Sequence, residues 1–149
     1  MGRLFGTDGA RGIAGGELTA DLAMKIGASA AYVLGESKKI KVIVGMDTRY
    51  SGYMLACAVN AGLLSMGADV IFVGVVPTPA VSFLVTHLKA DMGVMISASH
   101  NPAKYNGIKL FNNNGYKLAD EIEEKIEYYI LDEKLPECTN TVSYTHLRA

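Results

Sequence analysis

Short apolar runs at 40–44, 70–76 and 91–96 alternate with segments of helical periodicity, and this alternation constrains the fold more than any other feature of the chain. Leu22, Ile26, Ala30 and Val33-Leu34 recur at helical spacing over 19–34, with Thr19 as the expected N-cap. A second helix is expected after Ser51, which would cap it. Leu55, Ala58-Val59, Gly62-Leu63 and Met66 form its inner face, and Gly67 stops it. Thr78-Pro79 opens a third helix, where the missing N–H of proline leaves no intrahelical bond unmade. An acidic helix over 119–131 places Ile122, Ile126 and Ile130 on one stripe. Residues 108–111 and 115–118 flank an Asn-rich turn and read as a hairpin. The predicted fold is therefore α/β: a three-layer α/β/α domain with a mostly parallel mixed sheet and a β-hairpin on its C-terminal side. Ligands of such sheets bind beyond the carboxyl ends of the strands, here the loops 45–52, 74–79 and 97–107.

Composition excludes several function classes. Half of the 149 residues are hydrophobic and the net charge is -1, which suits neither a disordered chain nor a nucleic-acid-binding surface. No apolar run reaches the roughly 20 residues of a membrane span, and Met1-Gly2-Arg3-Leu4-Phe5 lacks a signal peptide's apolar stretch. Two cysteines make no disulfide framework; Cys57, in an apolar helical pattern, reads as a small core residue. A cytoplasmic location is the expectation.

The loop after the third apolar run carries the chemistry. Residues 93–107 read Gly-Val-Met-Ile-Ser-Ala-Ser-His-Asn-Pro-Ala-Lys-Tyr-Asn-Gly. They present Ser99 just past a buried strand, with His100 beside it, Pro102 stiffening the rest of the loop and Asn106-Gly107 as a turn into Ile108-Lys109-Leu110. Lys104 and Lys109 add positive charge, which suits phosphate better than an acyl group. From the residues alone, Ser99 is either a reactive hydroxyl or a loop serine making an ordinary turn hydrogen bond. Gly-x-Ser-x-Gly and P-loop patterns are both absent. The glycine-rich 5–12 (Phe-Gly-Thr-Asp-Gly-Ala-Arg-Gly) suggests a close-approach loop in which Arg11 offers a guanidinium fork to phosphate, or else a flexible leader with a solvated arginine. Asp47-Thr48-Arg49 reads first as a strand-end ion pair, His87 as a surface residue, and the carboxylates over 120–127 as a solvated helix face.

Five segments in order carry a family resemblance: Phe-Gly-Thr-Asp-Gly-Ala-Arg-Gly at 5–12, Gly-Met-Asp-Thr-Arg-Tyr-Ser-Gly at 45–52, Pro-Thr-Pro-Ala at 77–80, Ile-Ser-Ala-Ser-His-Asn-Pro at 96–102 and Tyr-Asn-Gly-Ile-Lys-Leu-Phe at 105–111. Together they resemble the first domain of the α-D-phosphohexomutases, and most of all that superfamily's bacterial phosphoglucosamine mutase branch. The resemblance covers about 1–135. It implies that Ser99 is a phosphoserine that donates its phosphoryl group to glucosamine 6-phosphate and regains one from the 1,6-bisphosphate. It implies Lys109 and His100 as its catalytic neighbours and Arg11 and Asn101 as phosphate-binding residues. It also implies Mg²⁺ as cofactor, with the phosphate on Ser99 as one ligand.

The chain departs from the family in length. The family's aspartate-rich metal loop, its sugar-selecting loop and its distal phosphate loop belong to domains 2–4, and none occurs here. The expectation is an enzyme fragment, inactive or nearly so by itself. The alternatives are a stand-alone phosphosugar- or partner-binding module and a phosphoglucomutase or phosphomannomutase fragment. Residues 136–149 do not resemble a linker into a second domain. They are expected to form a disordered non-family tail of the kind found on interrupted reading frames, in which His146 has no role.

Overall fold

The computed structural model describes residues 4–36, 38–132, 135–138 and 142–147. Ten elements follow one another: β1 (Ala10–Ile13), α1 (Ala20–Gly35), β2 (Lys41–Met46), α2 (Gly52–Ser65), β3 (Asp69–Val75), α3 (Thr78–His87), β4 (Met92–Ile96), β5 (Tyr105–Phe111), α4 (Asp120–Leu131) and β6 (Tyr144–His146). They build one six-stranded sheet of order β1-β5-β4-β2-β3-β6. β4, β2, β3 and β6 run parallel, while β5 is antiparallel to both β4 and β1.

Alternation along the central strands separates two cores. Val42, Val44 and Met46 of β2 join Val70, Phe72, Val94 and Ile96 against α1, α2 and α4. Ile43, Val73 and Met95 point the other way, onto Val81 and Val85 of α3. A strand covered on both faces has no polar side to show, which is why these segments read as continuous apolar runs. The predicted three-layer arrangement is present, and the α1 cap is as expected: Thr19 Oγ1 accepts from Leu22 N at 3.1 Å.

Three local expectations change. Asn106 and Gly107 are not a turn but lie inside β5, paired with Gly12 and Arg11 of β1. The hairpin that belongs to the sheet is β4–β5, with the Ser99 loop as its connection. At 112–116 the chain does fold back as expected, with Asn112 N donating to Tyr116 O at 2.7 Å and Leu118 N to Leu110 O at 3.2 Å about an antiparallel Phe111–Lys117 bridge, though a single bridge does not make 115–118 a further strand of the sheet. Ser51 does not cap α2 with its side chain; its Oγ instead accepts from Asn106 Nδ2 at 2.8 Å. Cys57 is exposed, because α2 is apolar on more than its buried face.

The tail contributes an edge strand. β6 lies parallel to β3, with Val70 N donating to Ser143 O and Leu147 N to Phe72 O, each at 2.9 Å. Thr139, Asn140, Thr141, Arg148 and Ala149 of the expected tail lie outside the described residues. Burial opposes charge on Asp69. Hydrogen bonds from Ser143, aided by Lys39, outweigh that cost and hold its carboxyl below the usual 3.8.

Candidate functional site

The site forms at the carboxyl end of β4, where the chain leaves the sheet, turns through 97–104 and returns as β5. Ser99 sits exposed at the tip with φ +52, in the left-handed region where a non-glycine residue is strained by about 1–3 kcal/mol. Lys109, two residues beyond Gly107 on β5 and so on the same face, brings its Nζ within 3.5 Å of Ser99 Oγ. At that separation the ammonium is a charge beside the hydroxyl more than a strong hydrogen-bond donor.

Arg11 approaches from β1. It is paired directly across from Gly107, so the two share a face of the sheet with Lys109. Gly107 makes this approach possible: a Cβ there would lie 2.7 Å from Ser97 O and 3.0 Å from Arg11 Cγ. Gly9 does the same for the preceding loop, since with φ +85 a Cβ would collide with Ile108 O at 2.3 Å. The Nε of Arg11 is buried without a hydrogen-bond partner among the described residues, while its Nη1 stands 3.9 Å from Asp8 Oδ2 and about a quarter of the side chain is exposed.

The loop around Ser99 is held from β2. Asp47 comes directly after that strand, and its N–H donates to Ile96 O at 3.0 Å, which puts residues 47–49 directly beside the loop. The guanidinium of Arg49 makes five hydrogen bonds. Its Nε donates to Asp47 Oδ2 (3.2 Å), Nη1 to the carbonyls of Pro102 (2.9 Å) and Tyr105 (3.0 Å), and Nη2 to those of Ser99 (3.0 Å) and Asn101 (2.8 Å). Asp47 Oδ2 also accepts from Ser97 Oγ at 2.7 Å, and Ser97 Oγ in turn accepts from Ser99 N at 3.0 Å. The ion pair read from Asp47 and Arg49 is therefore present, but it is the smaller part of what Arg49 does. Its main partners are backbone carbonyls, which no side-chain pattern displays. The available signal was position, since 45–52 leaves a parallel strand at the same end of the sheet as Ser99.

The remaining candidates separate. His100 is exposed and makes no side-chain hydrogen bond among the described residues. Asn101 is tied through its backbone, its N–H donating to Ala98 O at 3.0 Å. Lys104 is exposed and lies 5.4 Å from the ring centre of Tyr105. His87 is a surface residue stacked on Phe83.

Behind Lys109 is a cavity of about 200 Å³, lined among others by Thr7, Asp8, Lys117 and Glu123. The expected solvated acidic face holds for Asp120, Glu121 and Glu124 but not for Glu123 and Glu127. Glu123 and Glu127 are buried, Glu123 accepting from Lys117 Nζ at 2.7 Å and Glu127 Oε1 from the N–H groups of Leu4 (2.9 Å) and Phe5 (2.7 Å). Burial, chiefly, pushes the Glu123 carboxyl up, and the hydrogen bond to that carboxylate, chiefly, pushes Lys117 up.

Among the described residues no three His, Cys, Asp or Glu side chains converge, and Asp47 is already engaged by Arg49 and Ser97. The residues present do not by themselves fit Mg²⁺.

This strand-end serine with its cations can be set beside known proteins. The family model described as "Phosphoglucomutase/phosphomannomutase, alpha/beta/alpha domain I" matches residues 2–137. The chain belongs to this family. A phosphoglucosamine mutase of Alkaliphilus oremlandii is 62% identical over 136 residues, covering 90% of this chain and 30% of the relative. One from Clostridium novyi is 63% identical over 131 residues, covering 87% and 29%. A solved phosphoglucomutase/phosphomannomutase family protein from Burkholderia thailandensis superposes on this phosphohexomutase domain with a TM-score of 0.83 at 29% identity, covering 97% of this chain and 33% of that one. The chain thus spans about 30% of the length of the curated relatives it matches.

Proposed function

We propose that this chain is the phosphoserine-bearing first domain of a phosphoglucosamine mutase, which interconverts glucosamine 6-phosphate and glucosamine 1-phosphate. The observation that carries the reading is an exposed, left-handed Ser99 with the Lys109 ammonium 3.5 Å from its Oγ. On this reading the sugar's 1-hydroxyl oxygen attacks the phosphorus on Ser99. The Oγ–P bond breaks as the new O–P bond forms, and the hydroxyl proton ends on Ser99 Oγ. The 6-phosphate of the resulting bisphosphate then returns to Ser99, releasing glucosamine 1-phosphate. Lys109 offsets charge on the transferring group, and Arg11 offers the exposed part of its guanidinium to a phosphate oxygen. His100 and Asn101 border the same loop. Such transfers depend on in-line positioning and charge neutralisation more than on covalent chemistry by other side chains. Glucosamine, rather than glucose or mannose, rests on the name carried by the relatives of about 60% identity.

The domain proper is assigned to 1–135, with 136–149 outside it. Partner surfaces and any further Mg²⁺ ligands beyond a phosphate on Ser99 would come from the additional domains of the longer relatives. A cytoplasmic location goes with this proposed function; among the described residues no helix is long and apolar enough to cross a membrane.

The test is to graft residues 1–135 onto the remaining domains of the Alkaliphilus oremlandii mutase and assay mutase turnover. Activity that Ser99→Ala abolishes is the expected result. Turnover in the Ser99→Ala graft overturns the carrier assignment. Tight binding of glucosamine 6-phosphate by the 149-residue chain alone, unchanged by Ser99→Ala, would favour a binding module instead.

A further inference from the structure

We propose that Arg49 is a positioning residue for Ser99, acting with Asp47 and Ser97, and that it makes the serine loop receptive to phosphate by drawing the loop's carbonyl oxygens away from it. The proposal rests on the reading of Ser99 as phosphoryl carrier. Its basis is a matched count. A guanidinium has five N–H groups in a fixed planar fork, and Arg49 places all five, four on carbonyls spread from Ser99 to Tyr105 and one on Asp47. With 10% of its side chain exposed, it lies beneath the loop and does not compete for ligand at the surface.

That arrangement acts in two ways. The first is geometric. Ser99 holds a left-handed backbone without being glycine, and such a conformation persists only when its surroundings over-determine it. Here Arg49 holds its carbonyl while Ser97 Oγ, itself fixed on Asp47, holds its N–H. The peptide groups on both sides of the reactive hydroxyl are thus pinned. The second is electrostatic. Carbonyl oxygens carry partial negative charge, and four of them turned toward a buried cation are four that do not face an incoming dianion. Lysine, with three donors at a point, cannot reproduce this arrangement.

The experiment uses two readouts. In the grafted enzyme, Arg49→Lys should lower kcat by about 10²-fold, the scale expected when a reacting group is misplaced by an ångström. KM for glucosamine 6-phosphate should stay within about twofold, since a residue beneath the loop affects transfer more than ground-state binding. Ser97→Ala, which removes the bonds of Ser97 Oγ to Ser99 N–H and to Asp47 but leaves the five guanidinium bonds of Arg49 in place, should cost about tenfold in kcat. In the 149-residue chain, amide hydrogen exchange of Arg49→Lys should quicken over 99–105 while β2 and β4 keep wild-type protection. An Arg49→Lys graft with wild-type kcat, or a variant whose strands and loop loosen together, overturns the proposal. If the Ser99→Ala graft is active, the carrier reading fails independently, and the exchange measurement still decides whether Arg49 clamps the loop.

Discussion

Two loops border the candidate site, and they are held by opposite charges. The serine loop is gathered by a cation, Arg49, onto which four backbone carbonyls converge. The amino-terminal segment entering residues 5–9 is gathered by an anion, Glu127, whose Oε1 receives the N–H groups of Leu4 and Phe5. Both satisfy the rule that buried backbone groups need partners, yet they leave different surfaces. Turning carbonyls inward removes negative potential from the loop that carries Ser99. Turning N–H groups inward removes donors from the amino-terminal segment, beyond which β1 offers an anion the part-exposed guanidinium of Arg11. One loop is thus prepared by its backbone and the other by a side chain.

Asp47→Ala tests whether the first loop depends on its cation alone. It strips Arg49 Nε, the Arg49 backbone N–H and Ser97 Oγ of their acceptor, three hydrogen bonds to a charged group. A loss of about 2–3 kcal/mol in urea unfolding is expected, because such bonds are stronger than neutral ones and their partners are left behind. Exchange should quicken over 97–105 and stay unchanged at 4–9. Equal loosening of both segments would show that the two loops are one cooperative unit and end the comparison.

Glu127→Ala addresses the second loop with a smaller effect. Two N–H groups lose their acceptor, one of them only partly buried, so about 1–2 kcal/mol is expected. Glu127→Gln keeps an acceptor oxygen and should recover more than half of that loss. Amide exchange should now rise at Leu4, Phe5 and the residues after them, with the serine loop protected as before. A wild-type unfolding midpoint in Glu127→Ala would remove Glu127 as the anchor.

These hubs also mark where reading the sequence stopped. Features governed by neighbours three or four residues away were legible, such as the Thr19 cap and the stripe through Ile122 and Ile126. So were the apolar runs of β2, β3 and β4, because burial on both faces leaves no polar residue to confuse them. Ser99, Lys109 and Arg11 were legible as chemical types at the end of a strand. Features set by distant backbone were not. Asn106-Gly107 has turn composition but becomes strand because β1, nearly a hundred residues earlier, pairs with it. Glu127 lies on an acidic helix that looks solvated until Leu4 and Phe5 arrive from the far end of the chain. Arg49 displays its one side-chain partner in the sequence and conceals its four carbonyls.

The smallest effect concerns the ion pair beside the cavity, and its sign can be worked out. Lys117 donates to Glu123 at 2.7 Å and stands 3.5 Å from Asp120. The bond to Glu123 holds Lys117 above its usual 10.5, so the stability it lends is fully present below that pH and is lost as pH rises through the folded value. Burial holds Glu123 above its usual 4.5 despite Lys117, so the fold favours its protonated form. Stability from that source is present below pH 4.5 and lost as pH rises through the raised value. Both groups therefore make the chain less stable with rising pH, in two separate windows. Glu123→Gln should flatten the profile of unfolding midpoint against pH just above 4.5, and it should bring the alkaline decline back toward 10.5. Because the Lys117 side chain is 40% exposed, solvent screening limits its share to roughly a few tenths of a kcal/mol. Neither hub loop should respond, since Arg49, Asp47 and Glu127 are not replaced. A Glu123→Gln profile superimposable on the wild type would show that Lys117 and Glu123 are coupled no more strongly than a surface pair, leaving Glu127 as α4's one carboxylate of structural weight.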